Sequence, residues 1–210
     1  MSAPPKTELA VLPDEAEAIR HAVRTASLAP LGDDCVFAGP EHVDGLVGLL
    51  SDPAVSGPIY DLPRQITAKS ILAWIHEAQA QRTVGEGILI VNIDASGRVS
   101  GYSRFTIWPE RSAAEIAGAH RADHQNAGRG KAGAARSFGW MFDVLNVRLI
   151  GVTAALDNVR SARVIEAAGF VPMGERETIR PDGTTRRSLS WEMTRDDWRA
   201  GGRAPHPEAT

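Results

Sequence analysis

The sequence predicts an α/β domain built on one mixed, mostly antiparallel sheet of about six to seven strands, with helices packed on both faces. Three observations predict it. The apolar spacing changes from helical to alternating at about residue 87; three alternating segments then follow one another with only turns between them; and a helix, a strand and a second helix separate these from a final pair of strands. That order gives a mixed sheet with helices on it, not a doubly wound parallel one. A chain of 210 residues suits one domain with a sizeable core, read as an N-terminal extension over 1–30, the domain proper over 31–199 and a flexible tail over 200–210.

The extension can start a helix at Leu12-Pro13-Asp14, since Ala16, Ile19, Val23 and Ala26 recur at helical spacing and would pack on the domain or on a second copy of the chain. Cys35 to Ala38 reads as a strand, and a helix runs from Gly39-Pro40-Glu41 through Leu50. Pro53 stops it by pushing Asp52 out of the α region, and 53–63 reads as loop. Thr67 to Gln81 carries Ile71, Leu72, Trp74, Ile75 and Ala78 on one face of a helix. Gly87 to Ile93 and Val99 to Trp108 alternate across an Asp94-to-Gly97 turn, and Ala113 to Ala122 makes a third strand. Lys131 to Leu145 is a helix with Ala134, Phe138, Met141, Phe142 and Leu145 inward. Val147 to Ala155 is a buried strand, and Asn158 to Ala168 is a helix that Gly169 can end in the left-handed region. Phe170 to Thr178 and Arg186 to Thr194 close the chain as a hairpin. Trp74, Trp108, Trp140 and Trp191 fall mostly on apolar faces and are read as core.

Composition narrows the function. A net charge of -3 offers no field for nucleic acid or an anionic membrane, and no apolar run of about 18 residues is available to span a bilayer. The first six residues show no basic region leading into an apolar core, so export is not expected. One cysteine, Cys35, excludes an intrachain disulfide and a Cys-rich zinc site. The expectation is a cytoplasmic, soluble protein without a metal, and Cys35 is read as a core residue.

The feature that carries chemistry is Gln125-Asn126-Ala127-Gly128-Arg129-Gly130 at the start of a helix. Gly128 and Gly130 let backbone amides approach a phosphate, the helix dipole favours an anion there, and Arg121, Arg129, Lys131 and Arg136 surround the loop with only Asp123 opposing. Three ligand classes could claim the pattern. A nucleotide P-loop would need a hydroxyl where Ala132 stands. A dinucleotide fingerprint is formally present in Gly128-Arg129-Gly130-Lys131-Ala132-Gly133, with Asp157 as the acidic residue, but antiparallel strands precede it where a parallel unit is needed.

Four stretches from Val36 to Trp198 resemble the GNAT (GCN5-related) N-acetyltransferase superfamily, RimJ/RimL-like branch. Phe37 to Val55 is similar to its opening strand, helix and SDP-x-V ending. Ala122 to Gly130 looks like its pyrophosphate loop, with alanine where proline is frequent. Asp157-Asn158-Val159-Arg160-Ser161 through Ala168-Gly169-Phe170 looks like its DN-x-x-S…GF signature, and the Asp182-Gly183 hairpin with Asp197-Trp198 also fits. The resemblance implies a sheet splayed between the strands Ala113 to Ala122 and Val147 to Ala155, with acetyl-CoA as co-substrate lying in the gap. It implies main-chain contacts to the pantetheine from Gly118, Ala119 and His120. Gln125, Asn126, Ala127, Gly128, Arg129 and Gly130 would hold the pyrophosphate and Asn158 would bond the pantetheine arm, with Lys131 and Ser161 also among the cofactor-binding residues.

The implied reaction is acyl transfer to a primary amine by direct attack, the acceptor being a protein N-terminus or a small-molecule amine. It needs a neutral nitrogen and a proton for the departing thiolate. Glu115 is the candidate base, although a strand carboxylate can equally be a solvated one; His120 is a second candidate and also reads as a structural histidine. Many family members carry a tyrosine acid where this chain has Ile165, so Ser161 becomes the candidate donor, against its alternative reading as a helix cap. Tyr60 and Arg64 are placed by fold analogy to touch an acceptor. The departure at Ile165 also keeps open a non-catalytic, CoA-binding regulatory module.

Overall fold

A computed structural model describes residues 3–57, 59, 62–63, 65–121, 129–179 and 183–201. One seven-stranded sheet runs in the order β1-β2-β3-β4-β5-β7-β6, formed by β1 (Cys35–Phe37), β2 (Gly87–Ile93), β3 (Val99–Trp108), β4 (Ala113–His120), β5 (Leu149–Ala155), β6 (Val171–Ile179) and β7 (Thr185–Thr194). Every neighbouring pair is antiparallel except β4 with β5. This is the mixed, splayed sheet with helices on both faces that the sequence predicts.

Seven α-helices accompany the strands among the described residues: α1 (Pro13–Thr25), α2 (Val43–Leu50), α3 (Pro53–Ser56), α4 (Ala68–Val84), α5 (Arg129–Asp143), α6 (Val159–Ala167) and α7 (Arg195–Ala200). Alternation along the strands divides the core in two. Ile88, Ile90, Phe105, Ile107, Ala114, Ile150 and Val152 face α1, α5, α6 and α7, around a fully buried Trp140. Leu89, Val91, Val99 and Tyr102 face α2 and α4, where Trp74 meets Tyr102 edge-on at 5.4 Å.

Local chemistry fixes the helix ends. Pro13 opens α1 with its ring already at helical φ, Asp14 and Glu15 sit favourably at the positive end of the dipole, and Ala16, Ile19 and Val23 are buried at helical spacing. Thr67 and Ser70 form a reciprocal capping box at the start of α4, and Gly85, at φ +84°, ends it. Gly169 takes φ +85° after α6, as its position predicts. No helix among the described residues is long and apolar enough to cross a membrane.

Three local readings change. The segment read as loop from Pro53 begins with the single-turn helix α3, because Asp52 Oδ1 accepts the Ala54 N–H at 2.9 Å. Strand β4 ends at His120 rather than Ala122. Helix α7 follows the last strand, started by Thr194 Oγ1 accepting the Asp197 N–H at 3.1 Å and anchored by buried Trp198. Tyr60, Arg64, the hairpin tip at Pro181-Asp182 and the tail beyond 201 lie outside the described residues.

Cys35 sits half-buried on β1 beside Asn92 and Asp34. Burial first, and then the Asp34 charge, push its thiol from an ordinary 9.0 to about 11. The proton is therefore held more tightly in the folded chain: the stabilisation is complete below about pH 9 and is lost as pH rises towards 11. Thiolate absorbance near 240 nm should accordingly titrate with a midpoint near 11 in the folded protein; a midpoint at the ordinary thiol value would contradict this environment.

Candidate active site

The site begins where the sheet comes apart. β4 and β5 are in parallel register at three pairs only, Ala113 with Leu149, Ala114 with Ile150 and Glu115 with Gly151. Beyond Glu115 the two strands share no ladder pair among the described residues, while β4 continues along β3 to His120 and β5 along β7 to Ala155. A cleft therefore opens between two strands whose outer edges are held by their other neighbours. Edges of that kind carry main-chain donors and acceptors that an extended ligand can meet.

Glu115 stands at the point of divergence. It is 6 % exposed, on the sheet face of α2 and α4, and its Oε1 accepts a hydrogen bond from Thr153 Oγ1 at 3.1 Å. Strand alternation explains the meeting: Gly151 and Thr153 point to this face while Val152 and Ala154 enter the other core. Thr153 was missed in the sequence, where the signal was a lone hydroxyl within the apolar run Leu149–Ala155.

The two base candidates are not brought together. His120 lies five residues further along β4 and so points to the opposite face, with its imidazole over Gly101. At about 3.3 Å per residue the two α-carbons are roughly 17 Å apart, so they cannot serve one nitrogen. Gly118 pairs with Ser103, and a Cβ there would come within 2.5 Å of the Tyr102 carbonyl oxygen. Close packing against β3 is thus one reason for glycine at this position. Ala119 packs towards the α2–α4 core.

Beyond β5, Asn158 Oδ1 accepts the Ser161 N–H at 3.1 Å and caps α6. The cap is Asn158, which leaves the Ser161 hydroxyl uncommitted to that role. Ile165, four residues on, is buried in the larger core. Of the glycine-rich loop, Gln125, Asn126, Ala127 and Gly128 lie outside the described residues, whereas the backbone of Arg129, Gly130 and Lys131 forms the first turn of α5. Arg136, counted in the basic cluster, donates through Nε to the Leu31 carbonyl at 3.2 Å and so ties α5 to the segment after α1.

Comparison with known proteins agrees with this geometry. The family model "Acetyltransferase (GNAT) domain" matches residues 38–171, more than half of the chain, and the chain belongs to the GNAT family. Among solved structures, the ribosomal-protein-S5-alanine acetyltransferase from Vibrio fischeri superposes with a TM-score of 0.66 at 16% identity, covering 78% of this chain and 93% of its own. RimJ of Mycobacterium smegmatis, solved in complex with CoA-disulfide, gives 0.65 at 16% identity over 80% of this chain and 88% of its own. The microcin C7 self-immunity acetyltransferase MccE, solved with acetyl-CoA and AMP, gives 0.66 at 12% identity over 78% and 94%. No curated protein matches at the level of sequence.

Proposed function

We propose that this chain transfers an acetyl or other short acyl group from acyl-CoA to a primary amine, by direct attack in a ternary complex. The observation that carries the proposal is the parting of β4 and β5 immediately beyond a buried carboxylate. A pantetheine lying in the cleft would meet main-chain groups of Gly118, Ala119 and His120. The pyrophosphate would rest on the amides of 125–131 at the head of α5, where the dipole and open backbone favour an anion. Asn158, whose carbonyl oxygen is spent on the cap, would offer its amide N–H to the pantetheine arm.

Glu115 takes a proton from the ammonium, directly or through a water. The neutral nitrogen then forms the new C–N bond as the C–S bond breaks, and the thiolate collects a proton from the Ser161 hydroxyl or from solvent. Thr153 holds the carboxylate in place by donating to the oxygen that is not receiving the proton. Support for a second reading, a CoA-binding regulatory module without turnover, comes from Ile165, a buried aliphatic where a tyrosine acid is frequent in the family.

The test is calorimetric titration with acetyl-CoA together with release of free thiol over a panel of amines. Binding with turnover supports the transferase, binding without turnover on any amine supports the module, and no binding removes both. Asn158→Ala is expected to weaken acetyl-CoA several-fold while costing about 1 kcal/mol of stability through the lost cap, read by the same titration and by urea unfolding. Unchanged affinity would remove Asn158 from the site.

A further inference from the structure

On the face that carries Glu115, the surface of β5 and β7 holds a piece of the chain itself. Residues 3–7 cross it with a bend at Lys6 and Thr7, and nearly every polar contact they make is through the main chain. The Glu192 carboxylate accepts the Lys6 N–H at 2.5 Å and the Thr7 N–H at 3.2 Å. Arg176 donates to the carbonyls of Ala3 at 3.3 Å and Pro4 at 3.1 Å, and Arg111 donates to those of Pro5 at 3.0 Å and Thr7 at 3.3 Å. The side-chain exception is Lys6, whose Nζ reaches the carbonyls of Met173 at 2.6 Å and Glu175 at 3.2 Å.

Two features make this surface a groove rather than a resting place. Glu192, near the end of β7, is 6 % exposed, and among the described residues no cation forms an ion pair with it. A buried carboxylate answered by peptide N–H groups is costly without such a partner in place. Gly151 forms the floor: Pro5 is buried over it, and a Cβ at 151 would lie 2.9 Å from Pro5 Cγ. A small cavity lined by Ala3, Pro5, Gly151, Thr153 and Arg176 connects this segment to Glu115.

We propose that this groove binds the main chain of a peptide, and that Ala3–Thr7 are its resident occupant, so that a peptide acceptor must displace them to bring its amine to Glu115. The proposal rests on the acyltransferase reading for the role of Glu115 and selects peptides from the two acceptor classes. Recognition through Glu192, Arg176 and Arg111 addresses N–H and C=O groups that every peptide has, so it tolerates varied sequence and gives a small-molecule amine little to hold. The resident segment then sets a threshold, because its release reduces the apparent affinity of any competitor.

The test uses the full chain and a fluorescent, N-acetylated hexapeptide beginning with alanine and otherwise unrelated to residues 3–7, so that binding is read without turnover. Pro5→Asp, which sets a third carboxylate beside Glu115 and Glu192, should expel the segment and tighten hexapeptide binding about tenfold. The milder Lys6→Ala should tighten it about threefold and guards against a folding defect in the first variant. In the unmodified chain, saturating hexapeptide should speed amide exchange at Lys6 and Thr7 and leave Val152 unchanged. Equal affinity for all three forms, binding that leaves the Lys6 and Thr7 amides protected, or no binding to any form would overturn the proposal. A parallel acetyl-CoA titration separates the two readings: hexapeptide competition without acetyl-CoA binding would leave the groove standing and sink the transferase.

Discussion

Glu115→Gln is expected to lower kcat for acetyl transfer about 10²- to 10⁴-fold near neutral pH, the range typical of a lost general base. Glutamine keeps an oxygen where the Thr153 hydroxyl donates, so the fold and the acetyl-CoA dissociation constant should hold within about twofold. The pH profile supplies the decisive readout. An α-amino acceptor titrates at about 7.7 to 8.0, so above roughly pH 9 it reaches the site already neutral and the deficit of the variant should shrink. A deficit that stays constant with pH would assign Glu115 a structural role instead. Steady-state thiol release between pH 6.5 and 9.5, with thermal melting of both proteins, decides the matter.

Trp140→Ala should cost about 3 to 5 kcal/mol, a large part of the roughly 5 to 15 kcal/mol that holds a typical domain together. Trp140 is fully buried on α5, its ring centroid is 4.8 Å from that of Phe105 on β3, and its indole N–H donates to the Ser27 carbonyl at 2.8 Å. One side chain thereby joins the central helix, the sheet and the segment leaving α1. Truncation leaves a cavity and an unanswered carbonyl at once. Urea unfolding of the two proteins measures the difference; a loss under about 1.5 kcal/mol would show that the core closes around the gap. Under the proposed function the variant should also bind acetyl-CoA more weakly, since α5 carries the loop for the pyrophosphate.

What the sequence made legible was periodic and local. The alternation over β2, β3 and β4, the spacing of Ala16, Ile19 and Val23 in α1, and Gly169 at a helix end each report on neighbours in the chain. Short elements escaped because they lack a full period: α3 is one turn, and α7 shows a single buried apolar residue, Trp198. Glu115 could be placed on its strand, but not beside Thr153, since that contact depends on the register of β4 with β5, 36 residues apart in chain between Glu115 and its partner Gly151. The separation of Glu115 from His120 is different: alternation alone assigns them to opposite faces, so it could have been read in advance. Residues 3–7 look like an appendage because Pro4 and Pro5 suit no helix or strand interior, and their partners Arg176 and Glu192 lie at the other end of the chain. Buried Glu192 nonetheless left a mark, a carboxylate between Trp191 and Met193 in an apolar strand.

The three-pair junction of β4 and β5 divides the sheet into two leaves, β1 to β4 and β5 to β7, on a short spine. A ligand lying in the split acts as a missing strand, bridging leaves whose ladder pairs, among the described residues, stop at Glu115 and Gly151. Occupancy and stability then become one quantity: at a ligand concentration a hundred times its dissociation constant, binding would add about 2.7 kcal/mol to the folded state. For the acyl donor proposed above, the abundance of intact protein in a cell would follow the supply of acyl-CoA, and the loss of donor would loosen the leaves before it stopped the chemistry.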